Sequence, residues 1–184
     1  MRLRAEDSVL VVVDIQPNFM TTVVEAERVV KQSRFLLEVA RILDVPVLAT
    51  EQNPARMGGT DARLLDLIPG SPLPKMAFSA YGAPGFADAL TDSGRSQVVI
   101  VGVETHICVT QTALDVMNEV GLDAFVVADA VSGRGAEAHA IGLQRLADSG
   151  AFLPHSESVV YEWMGTAEHP RFRDVLAVVK AQAE

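Results

Sequence analysis

Short runs of apolar, mostly β-branched residues alternate along this chain with longer stretches in which apolar residues recur every three or four positions. A continuous apolar run is typical of a strand buried on both faces, whereas the wider spacing is typical of a helix with one buried face. We therefore predict six strands, at 8–14, 45–50, 74–78, 96–103, 122–130 and 151–155. The predicted helices lie at 23–43, 61–68, 85–90, 105–120 and 136–150, with a last helix opening at Pro170.

The order of these elements predicts the fold class. Apolar strands separated by helices are typical of a mainly parallel sheet that is covered on both faces. Right-handed crossovers then favour an α/β, three-layer, doubly wound, Rossmann-like fold with six strands in the order 3-2-1-4-5-6. We expect residues 1–184 to form one domain, with a ligand crevice outside the carboxyl ends of the strands.

Composition narrows the classes of partner. Hydrophobic residues make up 49% of the chain, enough for a sizeable core, and the formal net charge is -9. Such an acidic protein is disfavoured as a binder of nucleic-acid phosphates or of anionic membrane surfaces. We therefore expect neither nucleic acid nor a membrane as a partner.

The chain contains one cysteine, Cys108, which excludes an intrachain disulfide and favours a reducing compartment. The apolar run VLVVV near the amino terminus ends at Asp14 and is too short for a signal-peptide core or a membrane span. These features together predict a cytoplasmic protein.

Three side chains can carry chemistry: Asp14 at the end of the first predicted strand, Lys75 in the third, and Cys108 in the first turn of the helix after the fourth. In the predicted order, strands 1 and 4 are neighbours, so Asp14 and Cys108 are expected to face each other across the crevice. A cysteine in the first turn of a helix is expected to have a lowered pKa, and an aspartate beside it can take its proton. Each residue alone also fits a structural role, as a loop aspartate, a surface lysine or a buried small cysteine.

Three segments, in the family's order along the chain, resemble the isochorismatase-like cysteine hydrolases. This family includes nicotinamidases and N-carbamoylsarcosine amidases. VVVDIQPNF (11–19) resembles the opening D-x-Q-x-x-F segment, and KMAFSAYG (75–82) resembles the K-x-x-[FY]-S-A block. GVETHICVTQTA (102–113) resembles the nucleophile turn G-[VI]-x-T-x-x-C-V-x-x-T-A. TEQNP (50–54) and SGAFLPHSES (149–158) further resemble the metal-free subgroup named for isochorismatase-domain proteins.

The resemblance implies that Asp14, Lys75 and Cys108 are a catalytic triad that hydrolyses a small amide or ester through a covalent thioester-type intermediate. It also implies an oxyanion hole from the backbone N–H groups of Glu104 and Cys108, with a cis peptide bond before Glu104. Relatives are often dimers or larger, so a homo-oligomer is expected. Candidate substrate contacts are Gln16, Phe19, Phe78 and His106.

The sequence departs from the metal-binding members of the family. Nicotinamidases carry a D-x-H pair and a further histidine, whereas the corresponding stretch here, TEQNPARMGGTDARL, contains no histidine. The four histidines of the chain also lack the spacing of a zinc site. We therefore predict no metal and no other cofactor.

Two other functions remain open from the sequence. GRGAEA (133–138) fits the outline of a dinucleotide-binding fingerprint, G-x-G-x-x-A, although it follows the fifth strand rather than the first. A catalytically silent relative that serves as an interaction scaffold is the other alternative. The presence of an aspartate, a lysine and a cysteine in matching positions favours the hydrolase.

Overall fold

The computed structural model describes residues 1–182 and contains a parallel sheet of five strands in the order β3-β2-β1-β4-β5. The sheet confirms the predicted α/β class and the predicted order of the first five strands. Its apolar strands carry branched side chains that pack on both faces. The strands are β1 (Ser8–Val13), β2 (Val47–Gln52), β3 (Leu73–Lys75), β4 (Gln97–Val103) and β5 (Asp123–Ser132).

The sixth predicted strand is not present in the sheet. Residues 151–155 run beside β5 with a single parallel bridge, between Phe125 and Phe152, whose rings also stack with centroids 4.6 Å apart. Pro154 offers no backbone N–H, so it accepts a hydrogen bond from Ala128 without returning one. The ladder therefore stops, and the next helix begins at Ser156.

Helices cover both faces of the sheet and divide the core into two layers. On β1, Leu10 and Val12 pack into one layer, whereas Val9, Val11 and Val13 pack into the other. Within residues 1–182, no helix is both long and apolar enough to cross a membrane. The helices are α1 (Pro17–Met20), α2 (Ala26–Ile42), α3 (Pro54–Met57), α4 (Ala62–Leu65), α5 (Phe86–Asp92), α6 (Thr110–Glu119), α7 (Ala136–Asp148), α8 (Ser156–Met164) and α9 (Phe172–Gln182).

The helix predicted at 105–120 begins with a wide turn. Residues Thr105–Val109 form a single π-helical turn, in which the Val109 N–H donates to the Glu104 carbonyl at 3.3 Å, before α6 continues the chain. The hydroxyl of Thr110 donates to the Thr105 carbonyl at 2.6 Å. This bond gives a partner to one of the carbonyl groups at the wide turn. Such turns occur frequently at functional sites.

Strands β1 and β4 approach closely where they end. Gly102 pairs with Val13 and has a φ of +120°, and a Cβ atom at Gly102 would lie 2.0 Å from the Val13 carbonyl oxygen. Only glycine fits this position. The close approach brings the residues that follow the two strands, Asp14 and Glu104, to one edge of the sheet.

Candidate active site

Asp14 lies directly after β1 and is almost completely buried. Its φ is +52°, which turns the carboxylate away from the strand. Oδ1 accepts a hydrogen bond from the Thr50 hydroxyl at 2.8 Å, and Oδ2 accepts one from Lys75 Nζ at 2.6 Å. Burial raises the pKa of Asp14, and the charge of Lys75 opposes that rise without cancelling it.

Lys75 is the last residue of β3, and its side chain is fully buried. Besides Asp14, its ammonium group donates to Gln52 Oε1 at 2.7 Å and to the carbonyl oxygens of Phe78 at 2.9 Å and Ala77 at 3.2 Å. The alternative of a surface lysine is therefore wrong. A network of this density holds the ammonium group in one position beside the carboxylate.

Cys108 lies in the π-helical turn that follows β4, after a cis peptide bond between Val103 and Glu104. Burial raises the pKa of the thiol to about 12, and the negative charge of Asp14 adds to the rise. Lys75 and a backbone hydrogen bond from Glu104 act in the opposite direction. The expected lowering of this pKa by the helix terminus is thus wrong for the resting site, because desolvation and the Asp14 charge outweigh it.

A cavity of about 560 Å³ opens beside Cys108. Phe19 and Phe78 border it as apolar walls, and Cys108 and Glu104 lie along its inner side. The cavity therefore brings together the sulfur atom and two of the predicted substrate contacts. Its other lining residues are Asn18, Thr22, Gln52, Met57, Ile107, Gln111 and Arg134.

Gln16 does not border this cavity. It is fully buried, and its side-chain amide donates to the carbonyl oxygens of Gln52, at 3.1 Å, and Gly58. Its Oε1 accepts a hydrogen bond from the Gln52 N–H at 2.7 Å. Gln16 thus fastens the segment after β1 to the end of β2, and no polar atom of its side chain is directed to the cavity.

His106 also lies outside the cavity lining. Its backbone is so close to α7 that a Cβ atom at Gly142 would lie 3.0 Å from His106 Cα, and its ring packs against Gly133. Its Nδ1 atom is buried and has no hydrogen-bond partner among residues 1–182. Gly133, the first glycine of the GRGAEA segment, is therefore in close contact with the His106 ring.

Sequence reasoning missed four contributors to the site: Thr50, Gln52, Arg134 and the side chain of Glu104. Thr50 and Gln52 stand two positions apart at the end of β2, and this period-two spacing of polar residues was a signal for one shared face. The ion pair between Glu104 and Arg134, with Oε2 and Nε 2.9 Å apart, had no such signal because the residues are distant in sequence.

Among residues 1–182, no group of three or more His, Cys, Asp or Glu side chains is arranged to hold a metal ion. The absence of a metal and of other cofactors remains a prediction from the sequence.

Known proteins are similar in sequence to this protein over most of its length. Isochorismatase domain-containing protein 2A of Mus musculus is 36% identical over an alignment of 186 positions, which covers 97% of this chain and 85% of that protein. Two solved structures are also similar. The MAR1 ribonuclease from Caenorhabditis elegans is 32% identical with a TM-score of 0.91, and the similarity covers 98% of this chain and 93% of the other.

The second structure is YcaC from Pseudomonas aeruginosa with hexane-2,5-diol and covalent acrylamide. It is 26% identical with a TM-score of 0.85, and the similarity covers 99% of this chain and 94% of YcaC. A family model of the isochorismatase domain matches residues 8–158, which include Asp14, Lys75 and Cys108. With this match and a shared parallel sheet, the chain belongs to the isochorismatase family.

Proposed function

We propose that this protein is a cysteine hydrolase that cleaves a small amide or ester, with Asp14, Lys75 and Cys108 as its catalytic residues. The observation that carries the proposal is the position of Cys108 between a cavity and a buried carboxylate. The sulfur atom faces about 560 Å³ of space for a substrate, and Asp14 lies on its other side. A structural cysteine has no need of either neighbour.

In the first half of the reaction, Asp14 takes the thiol proton as the Cys108 sulfur attacks the carbonyl carbon of the substrate. Burial raises the pKa of both groups, so the carboxylate of Asp14 is a stronger proton acceptor than that of an exposed aspartate. Negative charge moves to the carbonyl oxygen, and we expect the backbone N–H groups of Glu104 and Cys108 to stabilise it. The tetrahedral intermediate then collapses, its C–N or C–O bond breaks, and Asp14 returns the proton to the departing amine or alcohol.

In the second half, a water molecule attacks the resulting thioester. Asp14 accepts a proton from this water, the C–S bond breaks, and the carboxylic acid product leaves. The thiolate then recovers its proton from Asp14. Lys75 holds the Asp14 carboxylate in place through the 2.6 Å contact.

The test is a screen of small amides and esters with wild-type protein and the Cys108→Ala variant in parallel. Wild-type protein should release the acid product, and intact-mass spectrometry after rapid acid quenching should show an acyl adduct on the protein. Cys108→Ala should show neither. Equal turnover by the two proteins would refute the proposal, as would wild-type protein without turnover on any member of the panel.

Ribonuclease activity is a second candidate, because a structure 32% identical to this chain bears that name. The net charge of -9 argues against it, since a polyanion would be repelled over most of the surface. Incubation of labelled RNA with wild-type protein and Cys108→Ala decides between the two. Cleavage that Cys108→Ala loses would replace amide hydrolysis as the proposed activity.

The two alternatives from the sequence have less support. In the GRGAEA segment, Gly133 packs on His106 and Arg134 is paired with Glu104, so this loop is already occupied by contacts within the chain. Calorimetric titration with NAD or NADP would revive the nucleotide-binding alternative if it detected micromolar affinity. A silent scaffold would be favoured if no compound of the panel acylated Cys108.

We further propose that residues 1–184 act as one domain, in the cytoplasm, and as a homo-oligomer. The exposed apolar side chains of Met76, Phe78 and Ile141 support self-association, since each is more than half exposed. Light scattering coupled to size-exclusion chromatography measures the oligomeric state directly. A monomer at all concentrations would contradict this part of the proposal.

A further inference from the structure

Glu104 combines burial with an unused hydrogen-bond acceptor. Its side chain is 6% exposed, and the residue borders the cavity beside Cys108. Oε2 accepts two hydrogen bonds from Arg134, one from the backbone N–H at 3.1 Å and one from Nε at 2.9 Å. Oε1 accepts no hydrogen bond from residues 1–182 and is not fully enclosed, and the residue to which it belongs lines the cavity.

A buried carboxylate of this kind is costly unless its lone pairs are occupied. An ionised carboxyl group only accepts hydrogen bonds, and each of its oxygen atoms can accept about two. Arg134 occupies Oε2 alone, which leaves Oε1 as an acceptor for any group that enters the cavity. The groups that satisfy such an acceptor are N–H or O–H donors, whereas another carboxylate is repelled.

We propose that the Glu104 carboxylate is a specificity-determining group, which accepts a hydrogen bond from an N–H of the substrate at Oε1. The inference rests on the proposed hydrolysis at Cys108 and adds a substrate class to it. Compounds with N–H donors next to the reacting carbonyl group, such as primary amides and ureas, are favoured over esters and over carboxylates.

The backbone of Glu104 places this acceptor close to the reacting atoms. Its N–H makes a backbone hydrogen bond to the Cys108 thiol, so the main chain of Glu104 touches the nucleophile while its side chain borders the cavity. The backbone N–H and the Nε of Arg134 both contact Oε2, which leaves Oε1 open.

Arg134 approaches the cavity as one half of an ion pair with Glu104. Its guanidinium Nε is committed to Glu104, and the two side chains form a pair with no net charge. The negative Oε1 would repel an anionic substrate while Arg134 attracts it, so the net attraction of the pair for an anion is small. This arrangement is the reason to expect selection of amides over acids in the cavity.

Binding measurements on the Cys108→Ala background test the inference without turnover. The probes are benzamide, methyl benzoate and benzoate, which differ only in the group next to the ring and are measured by calorimetry. Benzamide should bind about tenfold tighter than the other two, the size of one hydrogen bond to a charged group. Adding Glu104→Gln should reduce that preference to about threefold or less, since Arg134 keeps the amide oxygen and the amide N–H₂ turns to the cavity.

Two further variants make the result specific. Glu157→Gln removes a charge from the exposed start of α8 and should leave the benzamide preference unchanged. Arg134→Gln changes a side chain that is 60% exposed, so it should fold, and it should keep benzamide affinity within about threefold because Glu104 makes the contact. Thermal melting of each variant verifies the fold.

The inference is overturned if benzoate binds at least as tightly as benzamide, if Glu104→Gln keeps the preference, or if no probe binds at millimolar concentration. It is also overturned if Arg134→Gln abolishes benzamide binding. Wild-type turnover of the same compounds is measured separately. Glu104-dependent binding with no turnover of any compound would refute the proposed hydrolysis and leave the selection by Glu104 standing.

Discussion

Lys75 Nζ lies 2.6 Å from Asp14 Oδ2, and both side chains are shielded from solvent almost completely. The two residues come from the ends of β3 and β1, strands that are separated in the sheet by β2. Burying two charges costs several kcal/mol of desolvation each, so such a pair adds little to stability compared with apolar residues. Its value lies in holding a carboxylate beside the thiol of Cys108.

Removing one member of this pair should be more damaging than removing both. Lys75→Met leaves the Asp14 carboxylate buried without its cation and should lower the free energy of unfolding by about 3–5 kcal/mol. The double variant Asp14→Asn, Lys75→Met should recover a large part of that loss, because neither remaining side chain is charged. Urea unfolding of the four proteins in a double-mutant cycle measures the coupling, and additive effects would contradict it.

Asp14→Asn should separate the reactivity of the thiol from catalysis. The Asp14 charge raises the Cys108 pKa and Lys75 lowers it, so the variant should have a lower thiol pKa. Alkylation by iodoacetamide near neutral pH should then be about tenfold faster than in wild-type protein. Turnover should fall by about a hundredfold or more, because no group remains to transfer the proton.

Mass spectrometry of the alkylated protein and a product assay give the two rates for Asp14→Asn. Asp92→Asn, at the exposed end of α5, is the matched control and should change neither rate. Slower alkylation of Asp14→Asn than of wild-type protein would contradict this prediction. It would show that Asp14 promotes deprotonation of the thiol and does not raise its pKa.

Cys108 should make the stability of the protein depend on alkaline pH. Its pKa is about 12 in the folded protein, above the ordinary value of about 8.5 in an unfolded chain. A raised folded pKa means that the stabilisation is complete below the unfolded pKa and is lost as pH rises towards the folded pKa. Wild-type protein should therefore lose more stability than Cys108→Ala above about pH 8.5.

Chemical unfolding at a series of pH values measures this difference. The other titrating groups are common to wild-type protein and Cys108→Ala, so their contributions cancel in the comparison. Parallel curves for the two proteins would contradict a raised thiol pKa.

Gly102→Ala should disrupt the junction of β1 and β4. The added Cβ would lie 2.0 Å from the Val13 carbonyl oxygen, at a φ of +120° that alanine rarely adopts. We expect a loss of about 3 kcal/mol or more in the free energy of unfolding, or no soluble protein. Gly94→Ala is the control, because Gly94 also has positive φ, at +64°, but open space around its Cβ position.

Gly94→Ala should cost only about 1 kcal/mol from backbone strain. Similar losses for the two variants would show that φ alone, and not contact with Val13, requires glycine at position 102.

The sequence by itself was enough to predict the five strands of the sheet and to bring Asp14, Lys75 and Cys108 to one edge of it. Continuous apolar runs such as those of β1 and β4 are typical of strands buried on both faces. The pattern therefore predicts parallel strands whatever the exact side chains are. The topology that follows from them brings Asp14 and Cys108 to neighbouring strand ends. Lys75 joins them because β3 lies in the same parallel sheet.

Only the tertiary structure decided how these groups behave. The direction of the Cys108 pKa depends on burial and on the Asp14 charge, and neither can be read from the position of a cysteine in a helix. Gln16 turned inward to backbone groups of β2, and Pro154 stopped the sixth strand after a single bridge. Strand and helix patterns arise from local sequence, whereas hydrogen-bond partners and desolvation arise from residues that are distant in sequence and meet only in the folded chain.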